Sequence, residues 1–116
     1  MQHFRLANLH PQTNATEATY NEFLRVRAMS MGLYTIPAGA TDPQSPHTED
    51  EVYHVTAGRG WITVGNVEIP VETGSIVYVP ALVEHRFHSV EVTLAVLVFF
   101  APAEYALDAG KVEEAA

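Results

Sequence analysis

Short apolar runs rich in β-branched and aromatic residues, each closed off by Gly, Pro, Asn or Asp, set the limits on what this chain can fold into. That punctuation is the pattern of strands joined by turns. The runs predict strands near 22–27, 30–36, 44–47, 51–57, 60–64, 67–71, 76–79, 85–90 and 92–100. Gly65-Asn66 between Val64 and Val67 is a two-residue hairpin signal. Ala57-Gly58-Arg59-Gly60 and Pro37-Ala38-Gly39 read as further turns. Helical periodicity is weak before residue 103. Strands at such regular intervals build a sandwich or a barrel.

The run from Val92 to Phe100 does not alternate between apolar and polar residues. A strand of that kind is covered on both faces. One face would look into the barrel, and the N-terminal segment or a second copy of the chain would cover the other. A homodimer is therefore expected. Residues 1–20 read as a polar arm, 21–102 as one barrel domain, and 103–116 as a tail able to make one helical turn before fraying.

At 116 residues the chain can bury roughly two-thirds of its unfolded surface, enough for one core. A formal charge of −8 with six Lys plus Arg speaks against a partner built of phosphates, so no nucleic acid is expected. No cysteine is present, which removes disulfides, thiolate metal sites and cysteine nucleophiles. No stretch approaches the ~20 apolar residues of a membrane span, and the N-terminus lacks a signal-peptide core. A cytoplasmic protein is the expectation.

Of the six histidines, His3 and His10 fall in the polar arm and are expected in solvent. His54 and His88 stand one residue out of step with Glu51 and His85, and so face away from any site those two share. His47 and Glu51 lie in Ser45-Pro46-His47-Thr48-Glu49-Asp50-Glu51-Val52-Tyr53, a polar stretch entering a strand. On a helix the two would share a face, but Pro43, Pro46 and the strand-like residues that follow argue against one. On one straight strand their Cα atoms would stand about 13 Å apart, at ~3.3 Å per residue. A shared site requires the chain to turn at Thr48-Glu49-Asp50, with His47 and Glu51 on neighbouring strands. His85 follows the loop Pro80-Ala81-Leu82-Val83-Glu84.

These residues resemble the two motifs of the cupin superfamily. The first, G-x5-H-x-H-x3,4-E-x6-G, matches Gly39, His47, Glu51 and Gly58, with Ser45 where the first histidine belongs. The second, G-x5-P-x-G-x2-H-x3-N, matches Gly74, Pro80 and His85, with Leu82 in place of Gly and Ser89 in place of Asn. Fifteen residues separate Gly58 from Gly74, a spacing typical of compact bacterial cupins.

The resemblance implies an all-β double-stranded β-helix, or jelly-roll barrel. It also implies one divalent ion (iron, manganese, nickel, zinc or copper) held by His47, Glu51 and His85. At Ser45 the usual fourth ligand is missing, and a water is expected there, since Gln44 would face the other way on a regular strand. Two imidazoles and one carboxylate form a facial triad for non-haem iron, and they also suit zinc.

Alternation carries Tyr53 and Val55 inward with Glu51, and Phe87 inward with His85. On another strand either Met29, Met31 and Leu33 or the neighbours Ser30 and Gly32 point in. Tyr53 is the candidate for a catalytic contact to substrate, or for a hydrogen bond that orients a ligand. Two functions fit. One is a metal-dependent enzyme acting on a small organic molecule, an oxidoreductase of the dioxygenase kind or an isomerase or lyase. The other is a non-catalytic module that binds a metabolite or metal.

Overall fold

Valine, isoleucine, threonine and aromatic residues fill the segments that become strands, because their branched or flat side chains pack well on a pleated surface. The computed structural model describes residues 1–9, 16–44 and 46–107; Ser45, His10 and the tail beyond residue 107 lie outside the described residues. Its strands are β1 (Thr19–Val26), β2 (Met29–Ile36), β3 (Asp50–Val64), β4 (Val67–Glu72), β5 (Ile76–Val79) and β6 (His85–Ala101). A short 3-10 turn at Leu6–Asn8 precedes them, and the Phe4 ring packs edge-on against Phe23 of β1. The strands pair antiparallel in the order β1-β2-β6-β3-β4, with β5 also on β3. Among the described residues no helix is long and apolar enough to cross a membrane.

The two long strands are the spine. β3 and β6 run together from Asp50 opposite Ala101 to Val64 opposite His85. The first half of β3 lies between β5 and β6, and its second half between β4 and β6. The later half of β6 also carries β2. Side chains from both halves meet in one core, where Tyr53, Leu94 and Val96 join Ile62, Val71 and Phe87. This is the jelly-roll closure expected of the sequence.

Three expectations are corrected. In the segment read as a strand over 44–47, the described residues Gln44, Pro46 and His47 lie in no strand: Pro43 and Pro46 have no N–H to give a ladder, and Gln44 hangs instead from buried Asp42. Ala57–Gly60 is no turn but part of β3, where the register slips between Val55 and Trp61. Likewise 85–90 and 92–100 are one strand of 17 residues. Such irregularities bend a strand and shift its phase. In β3 the inward residues change from Glu51, Tyr53 and Val55 to Gly60 and Ile62; in β6 they change from His85 and Phe87 to Val90, Leu94, Val96, Val98 and Phe100. Gly58, at φ +92°, sits at this bend, and a Cβ there would meet Thr93 O at 2.1 Å.

In β2 the inward phase is Ser30, Gly32, Tyr34 and Ile36; Leu33 is also buried, on the other face. Leu97 and Phe99 on the outer face of β6 are half-buried. The Gly65-Asn66 hairpin and the Pro37–Gly39 turn form as expected, the latter with Ala40 N donating to Pro37 O at 3.0 Å.

The two departures in the second motif fall on left-handed backbone: Leu82 has φ +67° and Ser89 φ +50°. Glycine and asparagine, the motif residues, tolerate that region better. Leu82 is 69% exposed, so its side chain repays little of the strain. Leu82→Gly is expected to leave stability unchanged or raise it by up to about 1 kcal/mol, relieved strain exceeding the added chain entropy. Gly58→Ala is expected to cost more than about 1 kcal/mol. Urea denaturation of both variants checks the pair; a destabilised Leu82→Gly or a neutral Gly58→Ala contradicts this account of the backbone.

Candidate metal centre

Asp42, buried beneath β2, sets the path of the chain into the site. One of its carboxylate oxygens accepts the Tyr34 hydroxyl. The other accepts Phe87 N at 2.8 Å and Gln44 Nε2 at 2.6 Å. The segment is thus tied to β2 and β6 at once, and Gln44 is turned inward. This corrects the expectation that Gln44 faces away, which assumed the alternation of a strand that does not exist.

His47 follows on irregular chain, not on a neighbouring strand, and its carbonyl accepts Leu82 N at 2.7 Å. The chain bends at Thr48 and Glu49, then enters β3, where Glu51 stands opposite Val79 of β5 and Phe100 of β6. His85 is the first residue of β6. The bend therefore does what the sequence required, and the three side chains converge. One donor atom from each of His47, Glu51 and His85 lies within 4.8 Å of the others, and all three residues are buried.

Their protons are placed by outer partners. His85 Nδ1 donates to Val83 O at 2.8 Å, which leaves the Nε2 lone pair facing Glu51 Oε1 at 2.7 Å. His47 Nε2 lies 3.0 Å from Glu104 Oε2 and donates to it in the neutral ring, which leaves the Nδ1 lone pair 3.5 Å from the same Glu51 oxygen. Among the described residues, His47 Nδ1 and both Glu51 oxygens have no hydrogen-bond partner; the short His85–Glu51 contact lacks the angles of one. Three buried polar atoms without partners are costly to leave alone. A divalent cation satisfies all three, and the nitrogen and oxygen set suits a borderline ion. The residues fit a metal.

Without one, protons take its place. Burial alone would lower the His47 pKa, but the Glu104 and Glu51 carboxylates outweigh it and raise it to about 9. His85 moves the same way: burial opposes, and Glu51 beside it raises. Burial would raise Glu51, yet the two imidazoles hold its carboxyl below the usual range.

Sequence reading missed the closing element. Residues 103–107, expected to fray, fold back on the site. Glu49, 1% exposed, accepts Tyr105 N at 2.7 Å and Leu107 N at 2.9 Å; Glu104 N donates to Ser30 Oγ at 2.8 Å. The Tyr105 and Phe100 rings flank His47 at centroid distances of 5.6 and 4.8 Å. Nothing in the local pattern of residues 103–107 signals this docking. Gly32 did carry a signal, since a strand glycine marks close approach: a Cβ there would fall 2.2 Å from the Tyr20 ring.

Beside His47 opens a cleft of about 430 Å³, walled chiefly by Tyr20, Tyr34, Phe100, Tyr105, Gln44 and Glu104. Tyr53 does not line it. Its hydroxyl donates to Gln44 Oε1 at 2.7 Å, and its ring packs edge-on against Phe87 at 4.9 Å. Val55 and Phe87 belong to the core below. His54 and His88 face away as expected, His88 Nε2 meeting Thr63 Oγ1 at 2.9 Å and Glu68 at 3.2 Å. His3 is exposed.

Comparison with known proteins agrees with this geometry. Residues 32–100 match the model of the cupin domain. The uncharacterized protein SCO3923 of Streptomyces coelicolor is 51% identical over 104 residues, which covers 90% of this chain and 99% of that protein. The crystal structure of TT1209 from Thermus thermophilus superposes with a TM-score of 0.77 at 22% identity, over 89% of this chain and 99% of the other. An RmlC-like cupin with a double-stranded β-helix fold from Methanocaldococcus jannaschii gives 0.69 at 18% identity, over 80% and 87%. With its motif residues gathered inside such a barrel, the chain belongs to the cupin family.

Proposed function

We propose that this cupin is a metal-dependent enzyme acting on a small organic molecule held in the cleft beside His47. The observation that carries the reading is the buried His47, Glu51 and His85 cluster, in which His47 Nδ1 and both Glu51 oxygens have no hydrogen-bond partner, with His47 lining an open, ring-walled cleft. A cleft of that size and lining matches what small ligands occupy. The bound ion would supply a Lewis acid, or as iron(II) a site for oxygen.

The chain's own residues do the rest. Glu104 holds the His47 proton on Nε2 and so keeps Nδ1 free. Tyr53 acts through Gln44 as a positioning residue, since its hydroxyl is spent on that amide. Tyr20, Phe100 and Tyr105 offer flat apolar walls. Among the described residues that line the cleft none is Lys or Arg, and Glu104 adds negative charge. Neutral or cationic organic molecules suit it better than phosphorylated ones. Oxygenase, isomerase and lyase chemistry all remain within this proposal, because the fold does not select among them. A non-catalytic binding module is the second reading, favoured by the lack of a free carboxylate among the described residues that line the cleft: Glu104 is engaged by His47. A homodimer is part of the proposal too, through the partly buried Leu97 and Phe99 on the outer face of β6.

Protein purified without chelator or histidine tag is expected to carry one ion per chain, and His85→Ala, checked for fold by circular dichroism, is expected to lose it. Full occupancy in that variant would overturn the centre. Oxygen uptake with catechols, diketones and thiols, and product formation followed by NMR, separate enzyme from binder; stoichiometric metal without turnover selects the binder.

Removing the ion should also expose the proton that replaces it. His47 has its pKa raised from 6.5 to about 9 in the folded chain, so its contribution is full below pH 6.5 and is lost as pH rises through 9. The melting temperature of chelator-treated protein is expected to fall across that window, and added zinc to restore it. A flat profile that His47→Gln leaves unchanged contradicts this.

A further inference from the structure

We infer that Gln44 supplies the fourth protein ligand of the centre, through its side-chain carbonyl oxygen. The inference rests on the metal-binding reading above. It begins with the orientation of the amide, which is not a free choice. Asp42 presents acceptors only, with one oxygen on the Tyr34 hydroxyl and the other on Phe87 N and Gln44 Nε2. Turning the amide over would set the Gln44 carbonyl against that carboxylate and its NH2 into the site. The network therefore aims Oε1 inward.

There Oε1 has two neighbours. Tyr53 OH donates to it at 2.7 Å, which uses one of the two lone pairs of a carbonyl. The second neighbour is His85 Nε2 at 3.2 Å. In the neutral ring that a metal ligand must be, Val83 O holds the His85 proton on Nδ1, and the pair is then acceptor against acceptor; a protonated ring would instead donate Nε2–H to Oε1. Two acceptors at such a distance fit a shared cation.

The spacing of the whole set agrees. Two ligands each 2.0–2.2 Å from an ion, at right or tetrahedral angles, stand about 2.8–3.6 Å apart. Gln44 Oε1 to His85 Nε2 is 3.2 Å, His85 Nε2 to Glu51 Oε1 is 2.7 Å, and Glu51 Oε1 to His47 Nδ1 is 3.5 Å. The first and last of these fall in that range, and the His85–Glu51 contact is slightly shorter.

The sequence position explains the substitution. Where the motif has a histidine, this chain has Ser45, one residue after Gln44. Gln44 lies in no strand and is free of strand alternation, and its amide oxygen stands 3.2 Å from His85 Nε2. A carbonyl in place of an imidazole makes the set harder, two nitrogens and two oxygens, and shifts preference toward manganese, iron or zinc over copper.

The test uses cobalt(II) on the full chain without a tag, comparing native protein with Gln44→Met, which keeps the bulk and lacks the oxygen. Affinity is read by competition with a chromophoric chelator, and coordination by the visible bands of bound cobalt. The variant is expected to bind at least about tenfold more weakly, since even outer partners of ligands are worth 10–100-fold, and to show a changed band pattern. Unchanged bands, whatever the affinity, overturn the inference, because a merely structural glutamine would leave the coordination shell intact. Native protein that binds no cobalt sinks the metal reading itself and this with it. If Gln44→Met fails to fold, the Gln44 side-chain carbonyl carbon is followed by NMR in native protein during zinc titration; a resonance that does not move up to one equivalent overturns ligation.

Discussion

The carboxylate of Glu51, buried between two imidazole lone pairs, is the constraint around which the rest is arranged. Both rings hand their N–H to outer partners, His85 to Val83 O and His47 to Glu104. What remains at the centre is negative charge and lone pairs in a place with little water. Such an arrangement persists only if positive charge is delivered to it. A divalent ion would do this; otherwise the imidazoles must hold protons, and the raised His47 pKa is the sign of that demand.

The scaffold holds the centre by fastening irregular chain at three places. Asp42 anchors the approach to His47 on Tyr34 and Phe87 N. The strained turn at Leu82 reaches back to the His47 carbonyl. Glu49 captures the backbone of residues 105 and 107 and so brings Glu104 to His47. Two buried acids next to the His47, Glu51 and His85 cluster are thus structural, each accepting N–H or O–H bonds. The strand core supplies the floor, with Phe87 and Tyr53 beneath His85. Backbone strain gathered at such a place is a common companion of function.

The barrel was legible because its signals are local. Gly65-Asn66 marks its hairpin, and the inward phase of Glu51, Tyr53 and Val55 follows from simple alternation. The gathering of His47, Glu51 and His85 was legible because their spacing matched a family motif. Gln44 was missed for a definite reason: alternation was applied to 44–47, where two prolines prevent a strand. The merging of 51–57 with 60–64 was missed because a glycine at positive φ can mark a bend within a strand as well as a turn. Docking of residues 103–107 rests on contacts between positions more than fifty residues apart, Glu49 with Tyr105 and His47 with Glu104, and no local pattern encodes those.

Anomalous diffraction from crystals of protein never exposed to chelator tests the central claim most directly. Data collected on both sides of a transition-metal absorption edge should show a single strong peak inside the barrel, at bonding distance from Glu51, His85 Nε2 and His47 Nδ1. An empty centre, with a water or nothing among those atoms, or a peak located elsewhere in the molecule, would contradict the account.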